Sequence, residues 1–387
     1  MSRILILTAG YGEGHNAAAR NLAAAFDRAQ GPGTARIVDL FALGSPRMNA
    51  VCRRLYLAAI NRTPRLWSAF YAWIDRARPF PRHLWLFRRE LGVLAELLQT
   101  EAPEVICSTY PIYGFLLDRL AATERPRPLI YAIVTDSISI NSLWWLPSGD
   151  GWFLPNADSA EVLLAAGRPM EQLHVCGFPV PAIFSARAGT LQPPNLAAGH
   201  APRVLYIINS GSQDAEATAH LLLAQPEWEI TCAVGRDHRL RRKLEEFAAR
   251  RPAPAAILGW TDRIPELLMT HHAVVSKAGG ATTQEALAAR CPMIVNQIVP
   301  GQEEGNYELL RRHGIGARAT TPREVVAALH RAFAGGGTVW REWRRALEPL
   351  AHPTAGDDIV RQVQADLARR AARAPALPVP TVVSRHG

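Results

Sequence analysis

Three stretches of the chain hold residue types that can do chemistry, and each follows a short apolar run. Arg3–Thr8 (RILILT) empties into Ala-Gly-Tyr-Gly-Glu-Gly-His, so His15 stands where a loop passes into a helical pattern. An imidazole there, with an unperturbed pKa of roughly 6.5, can take a proton from a hydroxyl near neutral pH. It can equally be a surface histidine at a helix start. Gly10-x-Gly12-x-x-His15 comes within one residue of the dinucleotide pattern G-x-G-x-x-G, and Asp39 ends the next strand-like run, where a ribose-binding acid is expected. A nicotinamide-dependent oxidoreductase would need glycine at position 15. Asp136 closes the run Leu129–Thr135 and is a second proton acceptor, or else a helix cap or a structural partner for loop amides.

The third stretch reads SKAGGATTQE, from Ser276 to Glu285. The 43 Lys and Arg residues include two lysines, Lys243 and Lys277, so Lys277 marks a position suited to a compact charge rather than a planar fork. Gly279 and Gly280 let a backbone approach a diphosphate, Thr282 adds a hydroxyl, and a helix N-terminus supplies N–H groups. The alternative is a plain capping box, Thr282-x-x-Glu285, behind a tight turn. Met293–Gln297 then runs into Pro-Gly-Gln302-Glu303-Glu, a second polar loop opening a second helix. Gln302 and Glu303 can hydrogen-bond to sugar hydroxyls, or the acids can simply suit a helix dipole. Two such loops on successive strands favour a shared ligand. No D-x-D occurs, so a bound diphosphate is expected to be stabilised by dipoles and cations, with no metal.

These residues need a scaffold that brings loop ends together. Strand-like runs alternate with helical patterns, which argues for α/β domains with parallel sheets covered on both faces. The 387 residues exceed one ordinary core, so two doubly wound, Rossmann-like domains facing across a cleft are expected. The boundaries read as 1–178, a proline-rich hinge at 179–202, a second domain at 203–370, and an Ala/Pro/Arg-rich tail at 371–387 expected to be disordered. Five scattered cysteines form no C-x-x-C pair, which excludes a zinc ribbon and points to reduced thiols in the cytoplasm. No apolar stretch has the length of a membrane span, and the start lacks a signal-peptide pattern.

Residues 47–90 carry ten arginines and two acids, a local charge of +8, interleaved with eight aromatics including Tyr56, Trp73, Trp85 and Phe87. Single-stranded nucleic-acid binders mix the same residues. So does an interfacial segment on an anionic membrane. An ordinary helical pair with its aromatics inward is the plainest reading.

KAGGATTQEALAARCPMIVNQIVPGQEEGN resembles the C-terminal half of the monogalactosyldiacylglycerol synthase and processive diacylglycerol glucosyltransferase family, whose pattern is K-P-G-G-x-T-x-x-E-A followed by P-G-Q-E-x-x-N. LTAGYGEGHNAAA resembles that family's G-x-G-H loop, and VTDSISINSLWW its V-T-D stretch with a downstream tryptophan; the matches run in order from residue 4 to about 316. The resemblance implies a B-type glycosyltransferase fold, with a UDP-sugar on the C-terminal domain and a lipid acceptor, diacylglycerol, on the N-terminal one. It implies an inverting transfer at the cytoplasmic face of the cell membrane, with residues 47–90 on the anionic surface and no nucleic acid. Carried over by motif, Glu285 would hold the ribose, Gly279, Gly280 and Thr282 the diphosphate, and Gln302 and Glu303 the sugar. Gly259, Trp260 and Thr261 would carry the uracil through backbone groups, and Lys277 would neutralise the leaving UDP. His15 is the expected base and Asp136 its partner or an acceptor-binding group. Transfer to another lipid or small hydroxyl acceptor, a non-catalytic nucleotide-sugar-binding protein, and a UDP-N-acetylglucosamine epimerase of the same two-domain plan are the alternatives.

The pattern is broken at two points. Asn141 stands where the family carries a histidine, and Pro181 replaces an arginine; both fall on the acceptor side or the hinge. The Ser210–Asp214 loop resembles the glycine-rich loop of the cell-wall lipid-intermediate N-acetylglucosaminyltransferase, with serine and aspartate for two glycines.

Overall fold

The structure, a computed structural model, describes residues 3–63, 69, 73–77, 83–120, 127–209, 214–299, 301 and 303–373. Strand β1 (Ile4–Thr8) is buried at every position, as a strand covered on both faces must be. Its side chains divide by parity. Ile4 and Ile6 join Phe26, Val105 and Tyr131 in one core, while Leu5 and Leu7 join Phe41, Leu98 and Leu116 in the other.

The first sheet orders β1 with β2 (Ala35–Asp39), β3 (Val105–Ser108), β4 (Leu129–Ile133), β5 (Gly151–Leu154) and β6 (Leu173–Val175) as β2-β1-β3-β4-β5-β6, all parallel. The second comprises β7 (Arg203–Ile207), β8 (Glu229–Ala233), β9 (Ala255–Leu258), β10 (Ala273–Lys277), β11 (Met293–Gln297) and β12 (Ala317–Arg318). Its order is β12-β11-β10-β7-β8-β9, again parallel. Strand order reverses between β1 and β3 in the first sheet and between β7 and β10 in the second. Ligands in such sheets sit beyond the carboxyl ends of the strands at these reversals.

The end of the chain returns to the first sheet. Ala355–Arg373 is a helix, and its Ile359, Val360 and Val363 are buried in the core of the first sheet, not the second. Tyr131 Oη donates to Asp366 Oδ2 at 2.7 Å, and Arg28 pairs with Asp357 at 2.7 Å. An apolar stripe at helical spacing says that a helix will be buried but not against which sheet. Ala371–Arg373 complete this helix rather than starting a tail; residues 374–387 lie outside the described residues. The proline-rich segment is packed as well, with Phe178, Val180 and Phe184 buried in the core of the second sheet.

Residues Pro46–Arg62 and Arg88–Glu101 are helices. Trp67, Phe70, Tyr71 and Phe80 lie outside the described residues, but Trp73 and Trp85 are 54% and 67% exposed, so those two do not point inward.

Candidate active site

Both candidate proton acceptors stand at the carboxyl edge of the first sheet. The loop leaving β1 is braced by Asp39, whose Oδ2 accepts the Gly10 N–H and whose Oδ1 accepts the Ala42 N–H, each at 3.0 Å. Asp39 is therefore occupied as a loop brace and helix cap. His15 follows in the first turn of the helix Glu13–Gln30, with Nδ1 3.0 Å from Thr135 Oγ1 and its ring edge-on to Tyr110 at 5.1 Å. Tyr110 leaves β3, so His15 lies over the strand reversal. Burial lowers its pKa to about 4, against an upward pull from the Thr109 backbone hydrogen bond. The ring is neutral at physiological pH, the form that a base requires.

Asp136 follows Thr135 directly and accepts a hydrogen bond from Trp144 Nε1 at 2.7 Å. Burial raises its pKa to about 6, and the Trp144 bond opposes that rise. One loop thus holds both groups. Trp144 stands in the VTDSISINSLWW stretch, where the sequence alone gives it no role.

A cavity of about 680 Å³ opens beside the pair. Tyr11, Phe41, Leu55, Tyr110 and Leu143 line it, and His15 and Asp136 belong to its wall. Met48, Leu55 and Leu86 also line the cavity and are 64%, 65% and 58% exposed, so its rim is an apolar surface. Arg47 and Arg54 are exposed on the helix Pro46–Arg62, and Arg88 and Arg89 at the start of Arg88–Glu101.

The second domain presents a helix end to this loop. Gly279 caps the helix Gly280–Ala288 without any side-chain bond, because Thr282 falls inside the first turn; the capping box does not form. The helix Glu13–Gln30 likewise starts from Gly12 with no side-chain cap. The two ends converge: a β-carbon on Gly14 would lie 3.8 Å from the Ala281 nitrogen, and one on Gly280 would lie 3.6 Å from the Thr135 carbonyl oxygen. Each helix leaves its first N–H groups without intrahelical partners and carries partial positive charge there. Two helix N-termini, ends of the kind that can receive an anion, therefore meet at one place.

Glu285 lies in the same helix, one turn further. Burial raises its pKa to about 7; Arg20 pulls it down and Glu13 pushes it up, both from the facing helix of the other domain. Lys277 ends β10 and forms an ion pair with Glu303, which is 6% exposed and whose Oε2 accepts the Val299 N–H at 2.9 Å. A β-carbon on Gly279 would lie 3.4 Å from Lys277 Cε and 3.7 Å from Glu303 Oε1, so the ion pair borders the glycine turn. Gln302 lies outside the described residues.

Gly259, Trp260 and Thr261 follow β9, three strand positions from β10, or roughly 14 Å at ordinary strand spacing. Trp260 is 70% exposed, Thr261 Oγ1 accepts the Arg263 N–H at 3.1 Å, and a β-carbon on Gly259 would lie 3.0 Å from Arg241 Nη1. The fold thus brings the start of the helix Gly280–Ala288 against Thr135, beside His15 and Asp136, and against the start of the helix Glu13–Gln30. It sets the 259–261 loop at the far end of the same sheet edge.

Three residues without an expected role join the domains or brace the turn. Gln284 Nε2 donates to Ser137 Oγ at 3.0 Å, and Asn306 Nδ2 donates to the Ala278 carbonyl at 2.9 Å. A β-carbon on Gly305 would fall 1.8 Å from the Ser137 carbonyl oxygen, so only glycine fits there. Gly305 and Asn306 stand in the second polar loop and its helix, which is a signal of sorts. Gln284, in mid-helix, gives none.

The family described as monogalactosyldiacylglycerol (MGDG) synthase matches residues 15–180, a span that starts at His15 and includes Asp136. Processive diacylglycerol beta-glucosyltransferases of Bacillus cereus and Bacillus anthracis are 24% identical over 369 residues, 94% of this chain and 94% of theirs. The chain is similar to this family over nearly its whole length. Similarity to solved structures extends over both domains. Os79 of O. sativa, in complex with U2F and trichothecene, aligns with a TM-score of 0.59 at 12% identity, over 95% of this chain and 99% of that one. The S. aureus MnaA–UDP structure aligns with 0.55 at 13%, over 95% and 97%. At these identities the likeness is one of fold, the two-domain B-type plan that the MGDG synthase resemblance implies.

Proposed function

We propose that the protein is an inverting glycosyltransferase that moves a hexose from a UDP-sugar to the hydroxyl of a lipid, diacylglycerol in the first instance. The observation that carries this reading is a juxtaposition: an apolar cavity with His15 and Asp136 in its wall, and the uncapped helix at Gly280 against the carbonyl of Thr135. The lipid lies in the cavity with its hydroxyl at His15 and Asp136. Its oxygen attacks the anomeric carbon as the bond to the diphosphate breaks, and the hydroxyl proton passes to the base. One in-line displacement turns an α-linked donor into a β-glycoside. Negative charge growing on the diphosphate meets the two helix ends, already in place before the reaction. Glu285 holds the ribose, the 259–261 loop the uracil, and the Lys277–Glu303 pair borders the hexose and the leaving phosphate. An epimerase of the same fold has no use for a lipid-sized cavity beside its base.

The domain assignment that accompanies this reading is an acceptor domain of 1–178 joined by 355–373, and a donor domain of 203–354. The reaction it requires is direct to test. Purified protein incubated with UDP-glucose, UDP-galactose or UDP-N-acetylglucosamine and dioleoylglycerol is expected to give a lipid heavier by one sugar on mass spectrometry; no product with any donor and any lipid rejects the reading. Glu285→Gln should weaken UDP binding by roughly tenfold, the value of a lost charge-assisted hydrogen bond, in calorimetry. An unchanged affinity removes Glu285 from the ribose.

Among the described residues no helix is long and apolar enough to cross a membrane. We infer that the exposed apolar rim and the arginines around it seat the protein on the anionic cytoplasmic face of the cell membrane. Binding to vesicles containing anionic lipid should weaken as salt rises from 0.05 to 0.5 M. Leu55→Ser with Trp85→Ser should cut it by roughly tenfold or more, as expected for two apolar side chains that would enter the lipid. Binding indifferent to both rejects the seat.

A further inference from the structure

The cavity beside His15 is not wholly apolar. Asn49 Oδ1 and Asn141 Nδ2 are buried in its wall without hydrogen-bond partners. Glu90, only 3% exposed, lines the same cavity, and no described residue gives its carboxyl group a hydrogen bond or an ion pair. The three come from different elements: Asn49 from the helix Pro46–Arg62, Glu90 from the first turn of Arg88–Glu101, and Asn141 from the loop that carries Asp136. Asn141 is fixed by its own Oδ1, which accepts the Leu143 N–H at 3.1 Å, leaving the amide nitrogen as the group that is presented. Phe41, Leu86 and Phe87 share the wall with Glu90.

Asn49 Oδ1 and Asn141 Nδ2 are already shut off from water, and a ligand that fills this cavity shuts off Glu90 as well. Each then loses free energy unless the ligand supplies the complementary partner. Asn141 Nδ2 is a donor and is satisfied by any ester or amide carbonyl. Glu90 and Asn49 Oδ1 are acceptors, and they require a donor. Diacylglycerol has one hydroxyl, which the reaction places at His15 and Asp136; its remaining polar atoms are ester oxygens, acceptors only. It leaves Glu90 and Asn49 facing like groups or hydrocarbon.

We propose that Glu90 and Asn49 form a subsite that selects lipid acceptors bearing a hydrogen-bond donor besides the reacting hydroxyl, an amide N–H or a second hydroxyl near the head of a chain. Diacylglycerol is then accepted but is not the preferred acceptor. The inference rests on the lipid-transfer reading above and narrows its acceptor.

Initial rates of first-sugar transfer test it, with acceptors in mixed micelles: dioleoylglycerol, a diacylglycerol with one 3-hydroxyacyl chain, and an N-acylated amino alcohol with a free primary hydroxyl. At least one of the donor-bearing lipids is expected to show a kcat/KM roughly tenfold or more above that of dioleoylglycerol, mainly through KM. Glu90→Leu should bring the ratio to about one, and Glu90→Gln, which keeps an acceptor oxygen and the side-chain length, should keep part of it. Equal kcat/KM for all three lipids, or a preference that survives Glu90→Leu, overturns the subsite while leaving the transferase reading intact. No product with any lipid overturns both.

Discussion

His15→Ala should lower kcat for sugar transfer by roughly 10²–10⁴, the usual contribution of a positioned general base, with UDP affinity in calorimetry unchanged. Turnover that survives the substitution removes His15 from the chemistry. Asp136→Asn should cost a similar factor, and the pH profile separates the two residues. His15, held near 4, is already neutral across the physiological range. Asp136, raised to about 6, gains its proton as pH falls through that value and can then accept none. Activity is therefore expected to decline below about pH 6. Asp136→Asn should abolish that limb in the residual activity, and His15→Ala should leave its position in place. A limb that stays in Asp136→Asn and vanishes in His15→Ala reverses the assignment.

Gly305→Ala should be as damaging although the residue touches neither substrate. A methyl group there would overlap the Ser137 carbonyl oxygen and lie 2.6 Å from the Ser139 nitrogen. The loop between them carries Asp136 one residue earlier, and it is already constrained: Ile138 holds a φ of 55° and packs against the core of the second domain. A β-branched residue at positive φ is unusual and persists only where its surroundings impose it. The added methyl must push that loop or the donor helix away by an ångström or more. A displacement of that size at a reacting pair costs on the order of 100-fold in rate. The predicted signature is a drop of that size in kcat/KM with only a few degrees lost in Tm, since neither sheet is touched. Gly92→Ala, where a β-carbon meets nothing, is the control and should leave both unchanged. Equal behaviour of the two variants rejects the role of the interface.

The alternation of apolar runs and helical patterns was enough for two parallel α/β domains, because a strand covered on both faces must be apolar throughout. Ile4–Leu7 and Ala273–Val275, the apolar parts of two such strands, are the clearest cases. Loop composition placed His15, Asp136 and the Lys277–Glu285 turn at strand ends, since a loop that turns into a helix at a strand's end has few allowed chemistries. Those inferences are local, and local rules carried them.

What needed the third dimension was every relation between distant segments. Lys277, read as free to meet a leaving phosphate, is paired with Glu303, 26 residues away. Asp39, placed by pattern where a ribose acid would sit, is used as a brace for Gly10. The helix Ala355–Arg373 buries its stripe on the sheet at the opposite end of the chain, because periodicity fixes which face of a helix is apolar but not which surface receives it. The unpartnered groups of the acceptor cavity follow the same logic. Asn49, Glu90 and Asn141 are unremarkable in the sequence, and they meet only because three separate elements enclose one space, where none of them satisfies the others.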